Sequence, residues 1–412
     1  MEPAQQFCSN PDCPTCGQIG KGNIVIHQTS AERYKCTRCG KTFSARKGTV
    51  FYRNRAVDRD IELVVTLVGH GCPVPAITAA FGYDARTVRK WEAESGRHCQ
   101  AVHEHLVRQP RFHEQVQADE LRVKLQGAVV WVAMAICAVT RLWLGAEVES
   151  SRRRGLFDRL AARVRRCCAP GALLLVTDGL KTYIKSFVRA FRDPIVNGKV
   201  GRNRLKVWEG LAIGQCVKSY SNRGKRYVCH GVSKCRLGYG TFALLGTLVR
   251  KTQAGLEGVL HTAYIERFNA TIRSRVAGLA RRTRALFRTP ERLSEMVYLM
   301  GTLYNFCTPH HRLRKEGCQL TPAIVSGITD HSWSVRELLT YKVPPPPWTP
   351  PSKRGRRSKA LQALIDRWCI PQLQLSAYLP KNENVRRWID EYVAVLEHDM
   401  ERAKIEEERR GF

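Results

Sequence analysis

Two pairs of cysteines near the beginning of the chain have the spacing of a zinc site. The pairs are Cys13 with Cys16 and Cys36 with Cys39. Together they offer four thiolates to one tetrahedral Zn²⁺ ion, which in a ribbon stabilises the fold and leaves no position open for a substrate. We therefore predict one structural zinc ion in a ribbon over residues 1–52, with Cys8 as an alternative ligand.

Two aspartates stand out in the apolar strands that the sequence predicts further on. Asp119 shares one strand face with Leu121, because alternate residues of a strand point the same way, and a carboxylate there must be paired or bind a cation. Glu120 falls on the opposite face, where we expect it to be solvated. Asp178 follows the apolar run 173–177, at the strand end where α/β sheets bind ligands. Capping of the next helix is its alternative role.

A third carboxylate, Glu266, lies on a predicted helix with Arg273 seven residues later. Ile265, Phe268 and Ile272 form the apolar stripe of this helix, and the two charged residues follow its edge. They form either a solvated ion pair of little energetic weight or a metal ligand and a phosphate-binding cation in one cleft. Oxygen ligands suit Mg²⁺, and two such ions can assist an in-line phosphoryl displacement.

The elements that must position these carboxylates indicate an α/β domain. Three predicted strands are followed by a helix, a strand and a further helix, a pattern that favours a sheet of mixed direction. We predict these elements at 116–125, 129–139, 142–148, 153–168, 173–177 and from about 180.

Residues 53–108 have the pattern of a helix-turn-helix. Apolar spacing predicts a first helix from Asp58, a second from Val74 and a third that Asp84 caps. The third helix would offer four side chains to a DNA groove. These are Arg86, Thr87, Arg89 and Lys90. A three-helix packing unit without DNA contact is the alternative.

Charge and composition favour a nucleic-acid partner. The 412 residues include 68 Lys and Arg against 36 Asp and Glu, a formal net charge of +32, with a globular hydrophobic fraction of 43%. The longest apolar run, 127–139, is shorter than the roughly 20 residues of a membrane span, and no signal peptide is recognisable. The scattered cysteines indicate a reducing compartment, so we expect a cytoplasmic protein without a membrane partner.

Two further segments of the central part of the chain contain basic patterns. An insertion over about 194–250 combines Lys and Arg with aromatic residues, which suits unpaired DNA, and its irregularly spaced Cys216, Cys229 and Cys235 favour buried thiols over a metal site. If the Glu266 helix continues, Arg273 aligns with Arg281, Arg284 and Arg288 as a phosphate-binding stripe. For both the insertion and the arginine stripe, the alternative is a solvated charged surface without DNA contact.

The C-terminal part begins with a predicted helical tail at 311–343 and a Pro-rich, basic linker at 344–360. Arg354 and Arg356 in this linker resemble the core of a minor-groove AT-hook. The extension at 361–412 contains an amphipathic helix from Asn384 to Arg410, which either docks on its own chain or dimerises.

Taken in order, these motifs resemble a bacterial DDE-class insertion-sequence transposase, most closely the insertion-sequence-one family. The resemblance rests on the cysteine ribbon, the helix-turn-helix at Gly71-Cys72, the Thr177-Asp178-Gly179 motif and the His261-to-Arg273 segment, and it covers roughly residues 8–310. This chain departs from the family in being continuous, where members often divide the ribbon and catalytic part between overlapping reading frames, and in its longer C-terminal extension.

The resemblance implies an RNase H-like mixed-sheet domain at 111–310, after an all-α helix-turn-helix domain and before a helical extension. Asp119, Asp178 and Glu266 would bind two Mg²⁺ ions, or Mn²⁺, and Arg273 matches the family's basic residue. The partners would be terminal inverted repeats, target DNA and further copies of the chain, as a homodimer or higher oligomer in a prokaryotic, nucleoid-associated setting.

We accordingly expect a transposase that cleaves DNA strands and transfers them with Mg²⁺. A regulator that binds DNA through the ribbon and the helix-turn-helix, without catalysis, is the main alternative. A structure-selective nuclease is a third hypothesis, and sequence-reading elements argue against it.

Overall fold

The computed structural model describes residues 2–195, 202–223, 226–252, 259–315, 317–346 and 359. The chain divides into two compact units. One contains the N-terminal residues to Ala45 together with the chain from Pro344 onward, and the other spans Arg46–Val343. Arg354, Arg356 and the predicted helix at 384–410 lie outside the described residues.

The N-terminal unit contains a small antiparallel sheet. Its strands, in the order β1-β2-β3, are β1 (Ile24–Gln28), β2 (Arg33–Cys36) and β3 (Thr42–Ser44). Tyr34 and Phe43 pack with their ring centroids 5.8 Å apart. The other members of this small core are Ile24 and cysteines, so the thiols supply much of its buried surface.

Three helices follow where the sequence predicts them. They are α1 (Asp58–Gly69), α2 (Val74–Phe81) and α3 (Ala85–Leu106). The Asp84 carboxylate accepts a hydrogen bond from the Arg86 N–H (2.7 Å) and caps α3, while Gly82 ends α2 with a φ of +71°. Val88 and Trp91 are buried, as predicted.

The centre of the second unit is a six-stranded mixed sheet. Its strands are β4 (Gln115–Leu125), β5 (Ala128–Cys137), β6 (Trp143–Glu149), β7 (Leu173–Asp178), β10 (Leu211–Arg223) and β11 (Arg226–Tyr239), in the spatial order β11-β10-β7-β4-β5-β6. A separate hairpin pairs β8 (Arg192–Pro194) with β9 (Leu205–Val207). β7 runs parallel to both β4 and β10, and the other neighbouring pairs are antiparallel. This confirms the predicted α/β class with a sheet of mixed direction.

The remaining helices accompany this sheet. They are α4 (Arg154–Cys167), α5 (Lys181–Ala190), α6 (Phe242–Thr252), α7 (Ala263–Arg275), α8 (Pro290–Phe306), α9 (Pro322–Val325) and α10 (Val335–Thr340). The segment 311–343, predicted as a helical tail, also contains a hairpin of β12 (His310–Lys315) and β13 (Cys318–Leu320). Gly317, with a φ of +82°, lies in its turn, and buried Leu313 alternates with exposed neighbours instead of following a helical period.

Helix α8 joins the helix-turn-helix to the sheet. The Asn305 side chain on α8 accepts a hydrogen bond from the Trp143 N–H of β6 and donates one to its carbonyl, both at 2.9 Å. On its other side α8 approaches α3 so closely that a Cβ at Gly96 would lie 2.5 Å from the Glu295 carbonyl oxygen. The predicted domains 53–108 and 111–310 therefore share one hydrophobic core.

Among the residues that the structure describes, none of the helices combines enough length with enough apolar character to cross a membrane.

The contact between α3 and α8 predicts an effect of one methyl group. Gly96→Ala should lower the free energy of unfolding by about 1–3 kcal/mol, because the new Cβ overlaps the α8 backbone. Gly155→Ala in α4 is the matched control, since its Cβ meets nothing within 4 Å, and it should change stability by less than about 1 kcal/mol. Urea denaturation measures both, and equal effects would contradict this packing.

Candidate functional site

Four thiols converge in the N-terminal unit. The sulfur atoms of Cys8, Cys13, Cys36 and Cys39 all lie within 4.8 Å of one another. The Cys8–Cys39 and Cys13–Cys36 sulfur distances are 3.6 and 3.9 Å. A zinc tetrahedron with Zn–S bonds of about 2.3 Å has S···S edges of about 3.8 Å, so the cluster can hold a metal such as zinc.

Cys8 stands in this cluster where the sequence analysis placed Cys16. The segments around the two residues form a bridge in parallel, in which the Gly17 N–H donates to the Cys8 carbonyl (2.9 Å). Cys16 is buried beside the cluster, but its sulfur is not among the four. The Cys-x-x-Cys pattern identified three of the four thiols; the fourth depends on how the chain before Cys13 folds back.

The surroundings of one of these thiols, Cys36, favour its thiolate form. Burial raises the pKa of Cys36, but hydrogen bonds from the Cys39 and Arg38 backbone and from Asn23 outweigh this effect and lower it to about 6. The Asn23 amide lies 3.3 Å from the Cys36 sulfur. Because the thiolate is the form that binds a metal, the hydrogen bonds that lower the pKa of Cys36 favour its role as a metal ligand.

A second cluster consists of carboxylates from the middle of β4 and from the C-terminal end of β7. Ala118 pairs with Thr177 across these parallel strands, so Asp119 and Asp178 are the next residues on neighbouring strands. Carboxylate oxygens of Asp119, Glu120 and Asp178 lie within 4.8 Å of one another. The structure thus brings together two predicted site residues and adds Glu120.

The prediction that Glu120 is solvated is wrong, since its side chain is only 2% exposed. One carboxylate oxygen is bound by Arg152, and the other accepts a hydrogen bond from the Tyr183 hydroxyl of α5 at 2.7 Å. Arg152 also lies 3.9 Å from Asp178. Helix α5 and the segment before α4, which the strand period does not reveal, cover this face of β4.

Asp178 uses its two oxygens differently. Oδ1 accepts a hydrogen bond from the Leu180 N–H (3.0 Å), just before α5 begins, and Oδ2 faces Arg152. Asp178 can therefore lie beside Asp119 and at the same time bind the backbone at the start of the next helix.

The clustered carboxylates repel one another. Burial, followed by the charges of Glu120 and Asp178, raises the pKa of Asp119 to about 7. Burial and Asp178 also raise the pKa of Glu120, against the opposing effects of Tyr183 and Arg152. A site with this excess of negative charge favours a bound cation.

Helix α7 is attached to β4 beside this cluster. The Gln117 side chain accepts hydrogen bonds from the Tyr264 and Ile265 N–H groups, both at 3.0 Å, and donates to the His261 carbonyl at 2.8 Å. Further along α7, the Asn269 amide donates to Asp119 (2.8 Å). The sequence did not lead us to predict a role for Gln117 or Asn269. A polar residue on a buried strand two positions before Asp119 is the feature that could have identified Gln117.

Glu266 is close to this arrangement without belonging to the carboxylate cluster. Its Oε1 accepts hydrogen bonds from Lys218 (2.6 Å) and Thr262 (2.5 Å). Burial raises the pKa of Glu266, but these two donors outweigh it, and the net shift is downward. Arg273 has a lowered pKa because of burial and the charge of Arg281, while the charge of Asp119 acts in the opposite direction.

The predicted arginine stripe along a continued α7 is wrong. The helix ends at Arg275, and a short 3₁₀ turn, Ala277–Leu279, follows. A Cβ at Gly278 would lie 2.3 Å from the Phe287 ring, and the Phe287 carbonyl accepts a hydrogen bond from the Gln126 N–H (2.9 Å). The chain therefore folds back onto the β4–β5 turn. Arg281, Arg284 and Arg288 are exposed on this segment and not on one helix face.

The predicted DNA-contacting residues of α3 lie at its N-terminal end. Arg86, Arg89 and Lys90 are exposed and Thr87 is half-buried. The Lys90 ammonium donates to Asn54 (3.2 Å) and lies 3.8 Å from Glu94.

Inside the described part of the basic insertion, Arg236 has a structural role. Its guanidinium donates to the Gln215 side chain and to the Gly179 carbonyl (2.7 Å). Cys216 and Cys235 pair across β10 and β11, and both donate to the Leu260 carbonyl. Cys216 is buried, as predicted, but the prediction is wrong for Cys235, which is exposed at the edge strand β11. The Cys229 side chain lies outside the described residues.

The thiol cluster predicts which cysteines retain zinc. Cys8→Ser should lose about one bound zinc per chain, because it removes one of four ligands, whereas Cys16→Ser should keep it. Metal analysis of the purified proteins by mass spectrometry measures the content. Zinc loss in Cys16→Ser with full zinc in Cys8→Ser would contradict the ligand set.

The raised pKa of Asp119 predicts a pH-dependent stability in metal-free protein. Between its ordinary value of 3.8 and about 7, the folded state holds a proton that the unfolded state has lost, so stability falls as pH rises through this window. Asp119→Asn should therefore stabilise the protein by about 1–3 kcal/mol at pH 8 and by less towards pH 5. Thermal unfolding in EDTA measures this difference.

The exposed Asp12 provides the control for this measurement. Asp12→Asn should leave the unfolding temperature unchanged at both pH values. A stabilisation by Asp119→Asn that does not vary with pH would show that Asp119 titrates as an ordinary carboxylate.

Neither a protein-family model nor a curated protein matches this amino-acid sequence. No relative therefore assigns a role to the thiols, the carboxylates or the exposed arginines. Their chemistry and their positions in the fold are the grounds for a function.

Proposed function

We propose that the chain is a DDE-class DNA transposase that cleaves and joins DNA strands with Mg²⁺. The observation that carries this proposal is the adjacency of Asp119 and Asp178 on neighbouring parallel strands, with the Glu266 helix attached to the same strand as Asp119. Carboxylates contributed by two strands and a helix are a suitable ligand set for hard divalent cations.

The order of the strands supports an RNase H-like domain. β6, β5 and β4 form an antiparallel meander, and β7 and β10 then extend the sheet in parallel on the other side of β4. The two aspartates lie on the two central strands of this arrangement. The resemblance of the motifs implies this fold, and the observed order agrees with it.

The residues around the cluster fit a divalent cation. Asn269 is buried, its amide nitrogen binds Asp119, and its Oδ1 lacks a hydrogen-bond partner among the described residues. An uncharged oxygen beside mutually repelling carboxylates is the kind of group that a cation satisfies. Two Mg²⁺ ions, when bound, would stabilise negative charge on the attacking and leaving oxygens of a phosphodiester; Mn²⁺ would offer the same chemistry.

Each residue then has a defined task. Asp119 and Asp178 would hold the cations, and Glu266, whose carboxylate now accepts hydrogen bonds from Lys218 and Thr262, would be the third acidic ligand. Gln117 positions α7, so that Glu266 and Asn269, one turn apart, stay on the side of Asp119. Arg273, whose charge interacts with Asp119, contributes a cation for the phosphate.

The other parts provide DNA recognition. The exposed arginines at the start of α3 suit a DNA groove, and the ribbon with its zinc-competent thiols is a second DNA-binding element. We propose the terminal inverted repeats of an element as the specific partner, in a homo-oligomer that also binds target DNA.

One observation favours a second function, a DNA-binding regulator without catalysis. The Glu266 carboxylate is occupied by Lys218 and Thr262 and is not part of the close carboxylate cluster. If this arrangement persists when cations are present, the third ligand is missing and only DNA binding remains.

A cleavage assay separates the two functions. We expect wild-type protein to nick a plasmid containing the DNA that flanks its own gene in Mg²⁺ and not in EDTA. Asp178→Ala and Glu266→Gln should lose at least about a thousandfold in rate while retaining end binding, because they remove charge stabilisation of the transition state. Glu209→Gln, at an exposed acid, is the control.

Binding without cleavage by the wild-type protein would establish the regulator instead. An Asp178→Ala protein that still joins donor ends to target DNA would overturn the assignment of the carboxylates.

A further inference from the structure

A cavity of about 530 Å³ lies where the α1–α2 turn meets the chain that follows the Glu266 helix. Gly71 of the turn and Arg275 at the end of α7 both line it. A Cβ at Gly71, where φ is +93°, would lie 3.0 Å from the Arg275 Cα and carbonyl oxygen. Only glycine permits this approach. The cavity therefore lies where the helix-turn-helix packs closely against the segment that follows the Glu266 helix.

The charge of the lining residues favours an anion. Four arginines line the cavity, namely Arg89, Arg275, Arg288 and Arg292, against one carboxylate, Glu92, which is a formal charge of 4 − 1 = +3. Within the described part of the chain, no carboxylate lies within ion-pair distance of Arg89, Arg275 or Arg288, whereas Arg292 pairs with Glu295 (3.1 Å). Guanidinium groups grouped in this way suit a phosphate.

Most of the remaining wall is apolar. Val68, Val74, Phe287 and Met296 line the same cavity, beside a proline of the α1–α2 turn and one in the first turn of α2. Its volume lies in the range of about 300–1,000 Å³ that small-molecule sites occupy. An inorganic anion would leave this apolar surface unfilled, whereas a flat ring attached to a phosphate would cover it.

We infer that this cavity binds one unpaired nucleotide, with its phosphate on the arginines and its base against the apolar wall. The structure brings Arg89 of the predicted DNA-reading helix together with Arg288, which follows the carboxylate site by more than 20 residues in the sequence. Both had been expected to contact DNA, at separate surfaces. The inference shares with the proposed function the premise that the chain binds DNA, but it does not involve the carboxylates.

Calorimetry with small probes tests the chemistry of the site on the full-length protein. Deoxyadenosine monophosphate should bind at least about tenfold more tightly than deoxyadenosine or inorganic phosphate, because only the monophosphate uses both walls. Arg288→Ala should weaken its binding by about tenfold, by loss of a charged hydrogen bond. Arg282→Ala is the matched control, because Arg282 is exposed on the same segment without lining the cavity.

A second variant guards against indirect effects. Ala285→Trp fills the cavity without changing its charge and should also abolish binding, with an unfolding temperature close to that of the wild type. Undetectable binding of the monophosphate, or binding that both Arg288→Ala and Ala285→Trp leave unchanged, would overturn the inference.

A fluorescent base distinguishes a DNA strand from a free nucleotide. A duplex with 2-aminopurine in a three-nucleotide single-stranded tail should change its fluorescence on binding, whereas one with the same base inside a blunt duplex should not. Arg288→Ala should need a higher protein concentration for the tail response, and Ala285→Trp should abolish it. A response to the monophosphate alone would support a free-nucleotide site. Asp178→Ala should retain every response, so failure of the proposed catalysis and failure of this inference are separable.

Discussion

The repulsion among Asp119, Glu120 and Asp178 is the constraint on which the rest of the structure depends. Three carboxylates within 4.8 Å of one another are unfavourable in a folded protein unless neighbouring groups offset their charge. Arg152 and the Tyr183 hydroxyl bind Glu120, so that α5 and the segment before α4 must pack over this end of the sheet. The arrangement exists because β4 and β7 run in parallel and in register, and the same geometry makes the place where Asp119 lies beside Asp178 suitable for cations.

The attachment of α7 extends this constraint into the rest of the unit. Gln117 binds the start of the helix from a position two residues before Asp119, and Asn269 contacts Asp119 from the middle of the helix. Helix α8 then packs between the sheet and α3, with Gly96 and Asn305 at its two contacts. The proposed DNA-reading helix is consequently built on the same core as the carboxylates, so its position relative to them is set by close packing and not by a linker.

Local chemistry accounts for the features that were predicted and for those that were not. Strand period and apolar content correctly identified β4, β5, β6 and β7, because these patterns follow from burial of one or both faces. The same strand period led to the prediction that Glu120 is solvated, because the period does not reveal that a helix covers the second face of the strand. The predicted continuation of α7 is wrong because the helix ends at Arg275, and the chain then turns so that Gly278 packs against Phe287. Cys16 was preferred to Cys8 because sequence spacing measures distance along the chain, whereas a metal responds to distance in space.

By itself the sequence determined which residue types can do chemistry and on which elements they lie: thiols in a ribbon, Asp119 within a strand, Asp178 at the end of another, and Glu266 on an amphipathic helix. These features depend on interactions between near neighbours in the chain. Only the tertiary structure decided that Asp119, Glu120 and Asp178 cluster, that Gln117 and Asn269 tie α7 to β4, and that Arg89 and Arg288 line one cavity. Apart from the adjacent Asp119 and Glu120, these contacts join residues that lie 58 to 199 positions apart in the sequence, and their geometry depends on strand order and helix packing.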